Sequence, residues 1–369
     1  MKILYLALGG EWVASSRTRV YQFIPHLQKE GFQVTVFQYR TNLDSKISAG
    51  FGKRSGWGRS LVKFLRRLSN YFNLVFAIQA IRFLLLARRN DIVVIQKVLL
   101  PSFAIRWLPR VNPNILFDMD DAIHLLALDS ERKLWDKFLP TIKLALVENE
   151  LNAGHFSKYN IPSLKIIGPI DCERYRPRQK STRAHPRIVL GWIGSETTVQ
   201  HLEIIREPLM KILHENPEVE FWIIGSETFK VPPGSTQVKY FKWSLDSEVT
   251  LLQEFDIGLM PLTNDDWCRG KGGYKILQYM ALGIPSIASP VGVNSQIVKN
   301  QNTGFLADLN SEWYEALRDL IKNDSLRNRL GVAARAEAET VYSFEASTPK
   351  VIEAFLRFAP ATMPSHIRN

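Results

Sequence analysis

"CRGKGGYKILQYMALGIPSIASPVGVN", Cys268 to Asn294, sets three cations, Arg269, Lys271 and Lys275, and three glycines, Gly270, Gly272 and Gly273, at the start of an apolar helix that stops at Gly283. Ile276, Leu277, Met280 and Ala281 fall on one helical face, so the spacing predicts a helix over 274–282 held against a sheet. The run "PSIAS" follows as a strand, and Gly292, Val293 and Asn294 form the turn after it. Glycines at a helix start leave backbone N–H groups free and let an anion come close, and the cations add full charges at the same point. By spacing alone, a glycine turn flanked by solvated cations explains the stretch equally well.

Upstream, "GWIGSETT" (191–198) is a second glycine turn, with Gly191, Gly194 and Ser195 between a strand and a helix. That is the geometry of a ligand-facing loop at the carboxyl end of a parallel sheet. Strands "RIVLGWIG", "EFWIIG", "VKYF", "DIGLMPL" and "PSIAS" alternate with helical pattern at about 201–215, 247–255 and 274–282. From Ser311 to Phe358 the pattern is helical, with Leu317, Leu320, Ile321 and Leu326 as one stripe.

The first half opens with "KILYLAL", a helical "SRTRVYQFIPHLQKEG" and "FQVTVFQY", a β-α-β unit of the kind that builds parallel sheets. "DIVVIQ", "NILFDM" and "SLKIIGP" are further strands, with helical pattern read between them. Around residues 171–187 apolar periodicity gives way to Pro and basic residues, which predicts an exposed linker. The expected fold class is α/β: two Rossmann-like, doubly wound parallel-sheet domains facing a cleft. Their expected bounds are 1–172, a linker at 173–187, 188–340, and a helical tail at 341–369 that returns to the first half.

Bulk properties limit the function classes. The 369 residues, 46% hydrophobic and 22% charged, suit two folded cores. Two cysteines and no signal-peptide pattern at the start lead to the expectation of a cytoplasmic protein. A net charge of +11 and a pI near 9.5 predict attraction to an anion. Between Lys46 and Asn90 there is no acidic residue, while nine Lys and Arg interleave with aromatics. Two readings stay open for that segment: a basic amphipathic surface lying on anionic membrane at its inner face, or a solvated helix face over core aromatics. Arg82 interrupts its apolar run, well short of the roughly 20 residues of a membrane span. No nucleic-acid reader motif accompanies the charge.

The order of elements then resembles the GT-B glycosyltransferases, specifically glycosyltransferase family 4. The residues that carry the resemblance are "IIGPIDCERYRP" (166–177), "GWIGS" (191–195), "EVEFWIIG" (218–225), "FDIGLMPL" (255–262), "YKILQYMALGIPSIASPVGVNSQIV" (274–298) and "NTGFLA" (302–307). The resemblance implies a retaining, metal-independent enzyme. Its second domain would hold a nucleotide-sugar donor, and its first would shape the site of a glycan or lipid-linked acceptor. With no metal, protein groups must stabilise the departing diphosphate, which gives Arg269, Lys271 and Lys275 a role.

The family's two glutamates fall at Gly270 and Gln278 on this alignment, so both carboxylates are missing. Gln278 keeps an amide oxygen able to accept a ribose hydroxyl. Trp243 lies where the family's nucleobase contact falls, with a core or interface Trp as the alternative, and Gly292, Val293 and Asn294 would present backbone N–H groups toward the donor, with a plain turn as the alternative. On the acceptor side, Gly9 and Gly10 end the first strand, and Arg17 and Arg19 follow. "FDMDDAIH" (117–124) ends a strand, and Asp120, Asp121 and His124 are read as groups that orient an acceptor hydroxyl, with helix capping by the aspartates as the alternative. No metal or other cofactor is expected. The competing functions are a non-catalytic GT-B scaffold, given the missing glutamates, and an NAD(P)-dependent oxidoreductase. "GGEWVASSR" lacks the G-x-G-x-x-G spacing the latter needs.

Overall fold

A computed structural model describes residues 1–39, 76–126, 129–178, 187–232 and 235–358. The stretch 40–75, most of the basic segment, lies outside the described residues. The chain divides into two compact units, Met1–Ile166 with Thr348 onward, and Ile167–Ser347.

The first unit is a six-stranded parallel sheet in the order β2-β1-β3-β4-β5-β6, made of β1 Lys2–Ala7, β2 Gln33–Gln38, β3 Ile92–Gln96, β4 Ile115–Met119, β5 Ile142–Val147 and β6 Ser163–Lys165. β1 pairs with β2 on one side and β3 on the other, Tyr5 facing Val36 and Val94. The order therefore reverses between β1 and β3. β5 corrects the sequence reading, which assigned helical pattern here. Apart from the exposed Lys143, "IKLALV" is apolar and buried, and such short runs do not distinguish a buried strand from a helix by period. The expected helix after β1 is also broken, into Ala14–Arg19, a 3-10 turn Tyr21–Phe23 and Ile24–Lys29, with Pro25 opening the last piece.

The second unit repeats the plan in the order β12-β11-β10-β7-β8-β9, with β7 Ile188–Ile193, β8 Val219–Ile224, β9 Val238–Phe241, β10 Ile257–Met260, β11 Ser286–Ala288 and β12 Gly304–Leu306. Every pairing in it is parallel. Side chains alternate across β7. Leu190 and Trp192 enter one core with Phe221 and Leu209, and Val189 and Ile193 enter another with Ile276 and Leu277. Both faces are thus covered, and the order reverses between β7 and β10.

Ile170 and Cys172, expected in the first domain, and Tyr175, expected in the linker, are buried in the second unit's core, and Arg335 donates to the Tyr175 and Cys172 carbonyls at 2.6 and 3.0 Å. Apolar residues spaced between charges looked exposed because their partners lie far along the chain. The tail is two helices, Asn310–Lys322 and Asp324–Glu337, a π turn and a third helix, Phe344–Leu356. From Thr348 the chain counts with the first unit, where Asn114 donates to the Phe358 carbonyl.

Candidate functional site

Ligands of open α/β sheets gather outside the carboxyl ends of the strands where the order reverses. In the second unit that point lies between β7 and β10, and the loops leaving those strands carry the residues singled out in the sequence.

After β7, Gly194 donates to the Ile224 carbonyl at 3.0 Å, and Ser195 to Thr198 close a turn through Thr198 Oγ1. A Cβ on Gly194 would lie 2.4 Å from the Trp192 ring, and one on Gly191 2.0 Å from Phe255. These glycines are required by close packing. The same Trp192 ring lies under Lys275, whose Nζ is 4.6 Å from its centroid. Trp192 therefore joins the first glycine loop to the start of the helix Tyr274–Ala281. His201, on the segment following that loop, is a second bridge, with Nε2 3.8 Å from Cys268 Sγ.

Gly273 is the N-cap of that helix at φ +68°, and a Cβ there would meet Ile297 at 2.6 Å and Val293 at 3.0 Å. Gly292, at φ +56°, presses on the Arg269 backbone, where a Cβ would lie 2.6 Å from the carbonyl oxygen. The two turns of the opening stretch thus interlock. Val293 and Asn294 are buried, and Asn294 donates to the Ser289 carbonyl at 3.1 Å. Both support the loop.

The cations differ. Arg269 is exposed and engaged locally, donating to Asp266 at 3.0 Å and Asn264 at 2.9 Å. Lys271 lies over the Trp267 ring at 5.0 Å. Lys275 keeps partial solvent access, but protein crowds its ammonium, and no carboxylate among the described residues is within ion-pair range. Burial, and secondarily the Lys271 charge, bring its pKa down to about 7. His201 is also pushed down, first by burial and then by Lys271 and Lys275. Lys271 and Lys275 thus each disfavour a further positive charge on His201.

Gln278 is buried and donates through Nε2 to the Tyr175 hydroxyl at 3.1 Å. Tyr175 donates to Glu248, whose other oxygen accepts from Trp243 Nε1 at 2.5 Å. Sequence reading missed Tyr175, Glu248 and His201. Each is separated from its partners by many residues, and no local pattern signals the contact.

In the first unit, Gly9 and Gly10 leave β1 at its reversal point, and the Gly9 N–H donates to Ser16 Oγ at 3.2 Å. Arg17 is largely buried and donates to the Glu11 carbonyl at 3.0 Å. Arg19 is a correction. It is 2% exposed and bound to Asp118 at 2.8 Å, Glu148 at 3.3 Å and the Ile166 carbonyl at 2.9 Å, so it holds the sheet together rather than facing a substrate.

Asp120 and Asp121 are corrected too. Lys97, which the sequence reading passed over, bridges both at 2.7 and 2.9 Å. Burial opposes ionisation of Asp120, but the Lys97 ammonium and its hydrogen bond outweigh it and hold the carboxyl below its usual range. It is a weak base. His124 stacks on His155 at 3.9 Å, and burial, with His155 and Lys158 adding to it, lowers its pKa to about 4. It too is a weak base near neutral pH.

Residues 187–323 match the family described as "Glycosyl transferases group 1". Spore coat protein SA of Bacillus subtilis is 22% identical over 277 residues, 65% of this chain and 72% of that one. Among solved structures, HepE of Anabaena in complex with UDP and glucose is similar with a TM-score of 0.68 at 14% identity, over 96% of this chain and 99% of that one. Sucrose-phosphate synthase of Thermosynechococcus elongatus gives 0.65 at 12% identity, over 97% and 98%.

Two Rossmann-like units, each a doubly wound six-stranded parallel sheet, define the class as the GT-B fold of glycosyltransferases. Within it, the match to the group 1 glycosyltransferases falls in the second unit.

Proposed function

We propose that the protein transfers a sugar from a nucleotide diphosphate sugar to a hydroxyl of a glycan or lipid-linked acceptor, as in cell-surface polysaccharide assembly. The proposed transfer proceeds with retention and without a metal. The observation that carries the reading is Lys275, a crowded lysine with no carboxylate partner among the described residues, beside Lys271 at the strand-order reversal. A diphosphate leaving group supplies the missing negative charge, and the lysines then offset charge that grows as the sugar–phosphate bond breaks. Gly273, at the helix start, offers its backbone N–H group to the same point, the turn at Gly194 and Ser195 borders it, and Trp243 offers a ring to the base.

UDP bound in the HepE structure makes uridine nucleotides the first donors to test. Screening release of nucleoside diphosphate across a nucleotide-sugar library, with and without chelator, checks donor and metal dependence together. The scaffold reading predicts no binding of any nucleoside diphosphate by calorimetry.

Peripheral attachment to an anionic membrane is part of the proposal. Its support is the helical stretch 76–87, which buries Ala80, Phe83 and Ala87 and exposes Ile78, Ile81, Arg82 and Leu85, with Arg88 and Arg89 just beyond. No described helix is long and apolar enough to cross a membrane. Co-sedimentation with vesicles of phosphatidylglycerol that weakens as salt rises is the expected result. Salt-independent absence of binding leaves the solvated-face reading.

A further inference from the structure

Two residues outside the glycine loops, Tyr175 and Glu248, stand next to the position where this chain has Gln278 instead of a carboxylate. Their hydrogen bonds have a direction that chemistry fixes. A carboxylate only accepts, so Glu248 takes the indole N–H of Trp243 on one oxygen and the phenol O–H of Tyr175 on the other. With its proton committed, the Tyr175 oxygen can only accept, and Gln278 must offer it the amide NH2. The amide cannot flip without breaking this chain. Its carbonyl oxygen, Oε1, is therefore turned away from Tyr175, and it accepts from no group among the described residues.

We infer that Tyr175 and Glu248 are positioning residues that lock the Gln278 amide so that its carbonyl accepts a ribose hydroxyl of the nucleotide, in place of a carboxylate. The inference rests on the donor-site reading above. Gln278 and Lys275 are three residues apart on one helix and so share a face. A group that binds the diphosphate at Lys275 brings its ribose, the next covalent unit, to the neighbouring position. The same carboxylate holds Trp243, so base platform and ribose acceptor are set by one buried group.

Tyr175 is itself fixed. Arg335 clamps its carbonyl, and its backbone N–H donates to Asp171 at 2.9 Å. The phenol stays protonated, since burial and the Glu248 carboxylate both push its pKa far up.

The test is calorimetric binding of three probes to the full chain: UDP (GDP or ADP if either binds more tightly), its 2′,3′-dideoxy counterpart, and inorganic pyrophosphate. Wild type is expected to favour the ribonucleotide over the dideoxy form. Tyr175→Phe, which frees the amide to flip, should weaken the ribonucleotide roughly tenfold and erase that preference while leaving pyrophosphate unchanged. Glu248→Gln keeps the volume but can donate to Tyr175, which then turns its own proton to Gln278 and reverses the amide. It should show the same selective loss. Gln278→Glu, which sets a second carboxylate across Tyr175, should bring no gain.

Unchanged ribose preference in both Tyr175→Phe and Glu248→Gln overturns the inference while the donor site stands. Loss of pyrophosphate binding together with the nucleotide marks general damage to the fold and also overturns it. Failure of wild type to bind any nucleoside diphosphate overturns the donor site, and the inference with it.

Discussion

The two units solve the same topological problem with opposite electrostatics. In both, the sheet order reverses around the unit's first strand, β1 between β2 and β3, β7 between β8 and β10. At the first reversal the charges are closed among themselves: Arg19 with Asp118 and Glu148, Lys97 with Asp120 and Asp121. At the second, Lys275 and Lys271 face each other's charge, and no described carboxylate pairs with Lys275. A sealed ion-pair network fixes a fold, whereas an uncompensated charge is an invitation to an anion. The difference, more than the shared topology, is why the donor site is proposed at the second reversal.

The largest expected effect breaks the sealed side. Arg19→Ala leaves Asp118 buried without its cation and Glu148 without its hydrogen-bond donor, and removal of one partner of such a pair costs about 3–5 kcal/mol. Denaturant unfolding should show a loss of that size. A loss below about 1 kcal/mol, the worth of an exposed pair, would mean that the network is not sealed.

On the open side, Lys275→Ala should lower sugar transfer on the order of 100-fold, with nucleoside diphosphate binding weakened alongside. Thermal stability should not fall, because a crowded, unpaired ammonium is costly to the free protein. Wild-type turnover in this variant would end the phosphate assignment.

How far the sequence revealed this contrast depends on the reach of each contact. The glycine turns and the helix Tyr274–Ala281 were legible because their signals are local: apolar period, helix start, glycine stop. Gly273 and Gly292 have positive φ, and their turns interlock too tightly for a side chain. Arg19 misled because a buried arginine and an exposed one look alike in sequence, and its partners lie at 118 and 148. Lys97, one residue past β3, was equally silent. Its φ of +54° and its bridge to two aspartates exist only once β4 lies beside β3. β5 was missed for a different reason: burial on both faces removes the alternation that marks a strand.

A pH series sharpens the comparison, because the two sides should tilt stability in opposite directions. Burial, partly offset by Arg19, raises the Glu148 pKa from 4.5 to about 8. The folded state then holds a proton that the unfolded chain has released, so its contribution is full below about pH 4.5 and is lost as pH rises through about 8. Lys275 is the reverse. With its pKa lowered from 10.5 to about 7, its contribution is present above about pH 10.5 and is lost as pH falls through about 7. Glu148→Gln should remove the first slope from a melting-temperature series and Lys275→Met the second. Identical slopes in wild type and variant would show that these groups do not set them. Diphosphate binding should also draw a proton onto Lys275 above pH 7. Calorimetry in buffers of different ionisation enthalpy reads that uptake, and Lys271, Cys268 and His201 are the titratable neighbours to control for.

The smallest effect separates charge from charge that is already spent. Arg269 was grouped with Lys271 and Lys275 by sequence, yet it is half exposed and paired to Asp266 one helical turn back. An exposed pair of this kind is worth about 0–1 kcal/mol, and the aspartate cancels most of the field the arginine sends to the loop. Arg269→Ala should therefore change diphosphate affinity by no more than a few-fold, against the far larger loss at Lys275. Asp266→Ala is the companion, since it releases the arginine. If Arg269 can reach the anion, affinity rises slightly in low salt, and adding Arg269→Ala to that background removes the gain. A loss at Arg269 as large as that at Lys275 would place the anion on the exposed rim of the loop instead of at the helix start.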